Sequence, residues 1–213
     1  MPKTNLSMAV LLAGLATGAC SSASSPAAAR TTPEPAPSAA DRVRADSLRR
    51  PYTEADIEFM SGMIYHHNQA IRMAGWAPSH EASPAVQRLA ARIVNAQQDE
   101  IATMAQWLRD RGQPVPDPAS GHSMHMMPGM LTEAQMQQLD QARGQTFDNL
   151  FLAFMIQHHR GAVSMVRDLF ATRGAARDEL VFKFANDVNV DQSTEIARME
   201  RMLAALPSGS STP

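Results

Sequence analysis

Two pairs of sequence-adjacent histidines, each flanked by methionines at helical spacing, are the residues of this chain best suited to chemistry. Imidazole is a borderline-soft donor, and thioether sulfur is a soft, neutral donor that does not titrate. Together they suit copper, above all Cu(I), without any thiolate. Met104 and Met199 can approach from the facing helices. The candidate helical ligands are His66, His67, Met63, Met73, Met104, His158, His159, Met155, Met165 and Met199.

A second group of histidines and methionines lies in a segment rich in proline and glycine, at residues 112–131. Core packing does not explain so many soft donors in a segment without helical pattern, and such tracts are typical of soft-metal capture. The alternative is an apolar loop that lies on the folded domain. The candidate ligands here are His122, Met124, His125, Met126, Met127 and Met130.

The alternative for the helical residues is an ordinary core, because methionine packs well at helical spacing. Four inward histidines in two matching pairs argue against it, since each unsatisfied buried group would cost about 1–3 kcal/mol. Each facing helix has an inward glutamine and, one turn away, a glutamate. The two glutamates could accept ring N–H groups and fix the histidine tautomers. These supporting residues are Gln97, Glu100, Gln192 and Glu195.

The helices that must position these residues come in two copies. The pattern FxxxMxxHHxxAxxM begins at Phe59 and again at Phe151, an offset of 92. The pattern QxxEIxxM begins at Gln97 and again at Gln192, an offset of 95. A helical hairpin that occurs twice can bury its apolar face against its copy. The sequence therefore predicts an all-α, ferritin-like four-helix bundle built from two repeated hairpins.

Capping signals predict where the helices begin and end. Thr53, followed by acidic residues, starts a first helix that runs to about Gly75. Ser83-Pro84 starts a second, which ends at 111 before a glycine. A capping box at 132–135 starts a third, with a break near 144 and an end at 174. The last helix spans about 178–206. On the first helix, periodicity places these residues on the outward face: Ser61, Tyr65, Asn68, Gln69 and Arg72.

The N-terminal residues 1–19 have the features of a signal peptide, with Lys3 before a short apolar run. That run is too short to span a membrane as a helix. Gly18-Ala19-Cys20 resembles a bacterial lipoprotein acylation site, so we expect a lipid-anchored Cys20; the alternative is an ordinary signal cut nearby that leaves a free thiol. Residues 20–50 are then a disordered tether.

The folded domain is expected at residues 51–206, with repeat 1 at 51–111, the Met/His-rich loop at 112–131 and repeat 2 at 132–206. Residues 207–213 are predicted to be a disordered tail. The chain has 213 residues, with 19 basic and 21 acidic side chains and a net charge of −2. That balance gives no general attraction to nucleic acid. A single cysteine excludes a disulfide framework and cysteine-rich metal sites.

The paired histidines with flanking methionines, the Gln-x-x-Glu-Ile-x-x-Met helix and the duplication together resemble the secreted bacterial family called domain of unknown function 305. The resemblance covers residues 50–206 and is closest in FDNLFLAFMIQHHRGAVSMV. It implies a ferritin-like bundle. Characterised members are implicated in periplasmic copper binding and resistance with His and Met ligands. The resemblance implies that the corresponding copper ligands in this chain are His66, His67, His158, His159, Met63, Met73, Met155 and Met165.

The sequence thus predicts a non-enzymatic copper-binding lipoprotein of the cell envelope, facing the periplasm or the exterior. It would sequester copper, confer resistance or pass the ion to other envelope copper-handling proteins. One alternative is a ferritin-like metal-dependent oxidoreductase, although no glutamate stands three residues before any histidine and His-Glu-x-x-His is absent. The other is a methionine-rich interaction bundle without metal.

Overall fold

The computed structural model describes residues 51–117 and 127–206, together with four isolated positions between 38 and 45. The signal peptide, the lipidated Cys20, most of the tether and the C-terminal tail, all expected from the sequence, lie outside the described residues. Four of the six loop candidates also lie outside them: His122, Met124, His125 and Met126.

The described residues form five helices and no strand, which confirms the all-α prediction. None of these helices is long and apolar enough to cross a membrane. In chain order they are α1 (Glu54–Gly75), α2 (Pro84–Asp110), α3 (Glu133–Gln141), α4 (Gly144–Ala171) and α5 (Glu179–Ala205).

Side-chain caps fix the start of every helix except α4. Thr53 and Asp56 form a capping box at α1, and Thr132 and Gln135 form another at α3. The expected break in the third helix falls between α3 and α4. There Gly144 has a φ of +55°, a left-handed conformation that favours glycine, and its N–H donates to the carbonyl of His80.

Two helical hairpins form the bundle. Helix α1 packs against α2, α4 packs against α5, and the hairpins meet along α1 and α4. The carboxylate of Asp56 accepts the N–H of Ala176 in the α4–α5 turn at 2.7 Å. Its repeat equivalent, Asp148, accepts the N–H of Ser83 in the α1–α2 turn at 3.1 Å. Each hairpin therefore holds the turn of the other, which requires α1 and α4 to run antiparallel.

The antiparallel arrangement divides the core into two clusters. One contains the end of α1 around Met73 and the start of α4 around Phe151. The other contains the start of α1 around Phe59 and the end of α4 around Val166. The histidine pairs fall between these segments on both helices. Apolar packing thus holds α1 and α4 rigidly on either side of the four imidazoles.

Candidate metal centre

Four imidazoles meet where α1 crosses α4. His66, His67, His158 and His159 are all fully buried, at 0% exposure. The ring centroids of His66 and His158 lie 3.8 Å apart at an interplanar angle of 43°. Those of His158 and His159 lie 6.3 Å apart. The structure therefore brings the two pairs, separated by 92 positions in sequence, into one polar layer inside an apolar bundle.

Two carboxylates reach this layer from the outer helices. Nε2 of His67 lies 2.6 Å from Oε2 of Glu100 on α2, and Nε2 of His159 lies 2.7 Å from Oε2 of Glu195 on α5. A carboxylate only accepts, so Nε2 of each ring donates this bond and Nδ1 is the nitrogen that it leaves unused. The glutamate side chains are 19% and 20% exposed, so they connect the buried rings to the surface.

The remaining pair of histidines differs in its partners. Nε2 of His66 lies 3.1 Å from the carbonyl oxygen of Pro128, which fixes the proton on Nε2 for the same reason. His158 has no hydrogen-bond partner for either ring nitrogen among the described residues. Across the layer, all four Nδ1 atoms are buried without a partner in the part of the chain that the structure describes. Neutral imidazoles with free lone pairs are the form in which histidine binds metal ions.

Burial determines the protonation of this layer. It lowers the pKa of His66 from 6.5 to about 3; the neighbouring His67 adds to this effect, and the Pro128 carbonyl opposes it. Burial also holds the pKa of His158 well below its ordinary value, with further lowering by His66 and His159. Both rings are therefore neutral at physiological pH. Protons do not compete for their lone pairs until the solution is strongly acidic.

The segment Met127–Leu131 lies on the seam between α1 and α4. Gln69 donates to the Leu131 carbonyl at 3.0 Å and accepts its N–H at 2.8 Å. Gly129, at φ +77°, approaches Gly161 of α4 so closely that a Cβ on Gly161 would lie 2.0 Å from the Pro128 oxygen. The segment thus places the Pro128 carbonyl over His66.

The predicted outward position of Gln69 is wrong: its exposure is 8%. Periodicity within α1 cannot reveal this, because Gln69 is covered by a segment 62 positions away. Sequence analysis also missed Gly161, which lets the segment approach. A signal was available, because Gly161 and Gln69 occupy equivalent positions of the two repeats yet differ in type.

The candidate methionines divide between the two core clusters. Met63 and Met104 lie in the cluster around Phe59, and Met165 packs against it half-buried. The other cluster contains Met73, Met155 and Met199. Met104 and Met199 lie in different clusters, because antiparallel α1 and α4 place equivalent residues of the repeats at opposite ends.

The two described loop methionines lie against the bundle. Met130 is buried, at 8% exposure, and Met127 is half-buried. The sulfur of Met127 and the methyl carbon of Met165 come within 3.3 and 3.4 Å of where a Cβ on Gly62 would lie. Among the described residues, no group of three or more His, Cys, Asp and Glu is arranged to hold a metal ion. A metal site in this layer therefore needs thioether donors or a shift of the rings.

Comparison with known families assigns the fold. The family model Domain of unknown function (DUF305) matches residues 56–203. The chain belongs to the DUF305 family. This confirms the resemblance seen in the histidine–methionine repeats.

Several solved structures share this architecture. A DUF305 fragment from Deinococcus radiodurans has a TM-score of 0.64 and 31% identity, covering 73% of this chain and 99% of its own. A DUF305 protein from Streptomyces coelicolor, assigned as secreted, has a TM-score of 0.62 and 29% identity, covering 70% and 91%. CopM in its Cu(I)-bound form has a TM-score of 0.58 and 29% identity, covering 74% and 100%.

One curated relative also matches. The uncharacterized protein L153 of Acanthamoeba polyphaga mimivirus is 38% identical over 56 residues. The match covers 26% of this DUF305 chain and spans 37% of the viral protein. It therefore supports kinship over a short stretch and carries no functional assignment.

Proposed function

We propose that this DUF305 protein binds copper ions, Cu(I) in preference to Cu(II), through imidazole and thioether donors at the centre of its bundle. The observation that carries the proposal is the buried layer of four histidines whose Nδ1 atoms have no partner among the described residues. Glu100, Glu195 and the Pro128 carbonyl fix three of the tautomers so that Nδ1 carries the lone pair. A metal ion would satisfy atoms that otherwise destabilise the fold.

The choice of metal follows from the other donors near the layer. Methionines precede and follow the histidines on both α1 and α4, and Met63, Met73 and Met155 are fully buried. Thioether sulfur favours soft ions, which supports Cu(I). The solved forms of CopM, a similar structure, include Cu(I)-bound, Cu(II)-bound and Ag-bound proteins. The copper is cargo: the protein sequesters it, confers resistance to it or passes it on.

We also propose a location for the protein in the cell envelope and a second copper site in its loop. A signal peptide and an acylated Cys20 would tether the bundle to an envelope membrane, facing the periplasm or the exterior. The similarity to a Streptomyces coelicolor protein assigned as secreted supports export. In the loop, the histidines and methionines between 122 and 130 would capture copper and deliver it to the bundle or to other envelope copper-handling proteins.

The test is Cu(I) competition against a chelator of known affinity, under anaerobic conditions, with a variant in which all four histidines of the layer become leucine. The bundle should survive, because apolar side chains fit between the two core clusters. We expect the helical share of copper capacity to be lost and the loop share to remain. Equal capacity and affinity in the variant and the wild type would refute the proposal.

A matched control is available in His80. This histidine is also buried, at 5% exposure, but both of its ring nitrogens have partners, Ser79 at Nδ1 and Asp140 at Nε2. His80→Leu should therefore lower stability and leave Cu(I) capacity unchanged. If both variants lost capacity equally, the loss would reflect damage to the fold rather than removal of ligands.

A further inference from the structure

A groove lined by acidic side chains runs along the outer side of the bundle between α2 and α5, which make few direct contacts with each other. It consists of two pockets, with cavity volumes of about 440 and 210 Å³. Both are lined by Glu100 of α2 and Asp191 of α5, so they adjoin each other. The groove is distinct from the seam between α1 and α4 that the Met127–Leu131 segment covers.

The groove carries a strong negative charge. Two basic side chains, Arg92 and Lys183, face five acidic ones along its walls, and Lys183 pairs with Asp187. Burial raises the pKa of Asp191, and Glu100, Asp187 and Glu195 raise it further. The carboxylates therefore repel one another, and a cation in the groove would relieve that repulsion. The acidic residues are Asp99, Glu100, Asp187, Asp191 and Glu195.

The buried end of the groove contains polar atoms without partners. Gln97 and Gln192 line the smaller pocket and are only 2% and 3% exposed. Both amide atoms of Gln97 and the amide oxygen of Gln192 have no hydrogen-bond partner among the described residues. Such atoms are costly inside an apolar bundle, and amide oxygens are ligands for cations. This observation is independent of the surface charge and leaves two amide oxygens able to contact a cation.

The same end of the groove touches the histidine layer. Glu100 and Glu195 line the smaller pocket, and each places one carboxylate oxygen on a buried ring, at 2.6 Å for His67 and 2.7 Å for His159. The two glutamates therefore link the smaller pocket directly to the imidazoles. Two repeat-equivalent glutamate–histidine contacts frame the passage.

We propose that the groove between α2 and α5 is the port through which a metal cation enters and leaves the histidine layer. Asp187 and Asp191 attract the ion at the mouth, and the amide oxygens of Gln97 and Gln192 bind it transiently before the imidazoles take it. Oxygen donors suit this role because they bind Cu(I) weakly, so the ion moves on to nitrogen and sulfur. No redox change and no proton transfer is involved, since each Nε2–H stays on its imidazole and keeps its hydrogen bond to the glutamate. This inference rests on the copper-binding function proposed above.

The test compares loading rates of two charge-matched variants. Asp187→Asn with Asp191→Asn removes two exposed carboxylates from the groove. Glu58→Gln with Asp168→Asn removes two from another surface pocket, which Pro128 and Met165 also line. Cu(I) is delivered anaerobically as its acetonitrile complex in a stopped-flow mixer, and ultraviolet charge-transfer absorption reports binding. The rates are compared for the kinetic phase that disappears in the variant lacking all four layer histidines, because that phase reports loading of the histidine layer.

The groove variant should load roughly three- to tenfold more slowly than the wild type at low ionic strength, because converging carboxylates raise the local cation concentration. Release into excess chelator should slow by the same factor, so the equilibrium affinity stays unchanged. The difference should vanish near 1 M salt, where the screening length falls to about 3 Å. The control variant should load and release at the wild-type rates.

Each contrary result has its own meaning. Wild-type rates in the groove variant with intact affinity would overturn the port and leave the proposed function standing. Slower loading of the control variant instead would overturn it too, by moving the entrance to the loop side. A loss of equilibrium affinity at an unchanged loading rate would make the carboxylates ligands rather than a port. No Cu(I) binding by the wild type would overturn the proposed function together with this inference.

Discussion

Replacing Gly161 by alanine tests how the Met127–Leu131 segment docks on the bundle. Gly161 lies inside α4, where alanine would ordinarily gain about 1 kcal/mol of helix stability over glycine. Here the added Cβ would lie 2.0 Å from the oxygen of Pro128, 2.5 Å from its carbonyl carbon and 2.6 Å from Cα of Gly129. All three are backbone atoms, so no side-chain rotation relieves the clash and the segment has to move.

Moving the segment lowers the free energy of unfolding through two separate effects. Forcing a methyl group into a packed contact costs about 1–3 kcal/mol. Moving Pro128 also breaks its hydrogen bond to Nε2 of His66 and leaves a buried donor unpaired, for a further ~1–3 kcal/mol. Set against the helix gain, the net loss is roughly 3 kcal/mol in the free energy of unfolding.

Urea unfolding followed by far-ultraviolet circular dichroism measures this loss. Gly75→Ala is the control, because Gly75 is also helical but has no atom within 4 Å of its added Cβ. It should leave the stability unchanged or raise it by up to ~1 kcal/mol. Nitrogen chemical shifts of His66 should change only in the Gly161 variant. A Gly161→Ala protein as stable as the wild type would refute the described docking of the segment.

Three further predictions concern the centre and the anchor. The unfolding free energy of the metal-free protein should fall by up to ~5 kcal/mol from His66 alone between pH 6.5 and about 3, because the unfolded chain then binds a proton that the folded chain excludes; urea titrations that are flat over this range would contradict it, and His158 acts in the same direction. Glu100→Gln or Glu195→Gln should weaken Cu(I) binding by roughly tenfold in chelator competition, since the ring loses a charged acceptor; unchanged affinity would make these contacts purely structural. Cys20→Ala should abolish fatty-acid labelling, and labelling that persists would remove the lipid anchor from the proposed function.

Local signals account for the parts of the fold that the sequence predicted. The capping boxes at Thr53 and Thr132 and the break at Gly144 depend on residues within one turn, so they can be read without a structure. The internal repeat likewise predicted the two hairpins. It could not predict how α1 and α4 run relative to each other, because parallel and antiparallel packing bury the same faces. The separation of Met104 from Met199 follows from that choice alone.

Some contacts of the candidate site could likewise be predicted from the sequence, and others could not. The approach of Glu100 to His67 and of Glu195 to His159 could be predicted, because each pair lies within one hairpin and helical periodicity fixes which faces meet. The contact between His66 and the Pro128 carbonyl could not, since it joins residues 62 positions apart and depends on the path of a loop. The groove between α2 and α5 was also missed, because it exists only where two hairpins leave a gap.

The loop breaks the symmetry that the repeat creates. His66 and His158 are equivalent by sequence and lie ring to ring, yet Pro128 accepts a hydrogen bond from the first, and the second has no partner among the described residues. The difference arises because the segment 127–131 packs on Gly161 of α4 and Gln69 of α1, which are themselves equivalent positions. The centre therefore combines three rings whose Nε2 has a hydrogen-bond partner with one, His158, whose ring nitrogens have none among the described residues. A bundle of two identical halves could not produce that combination.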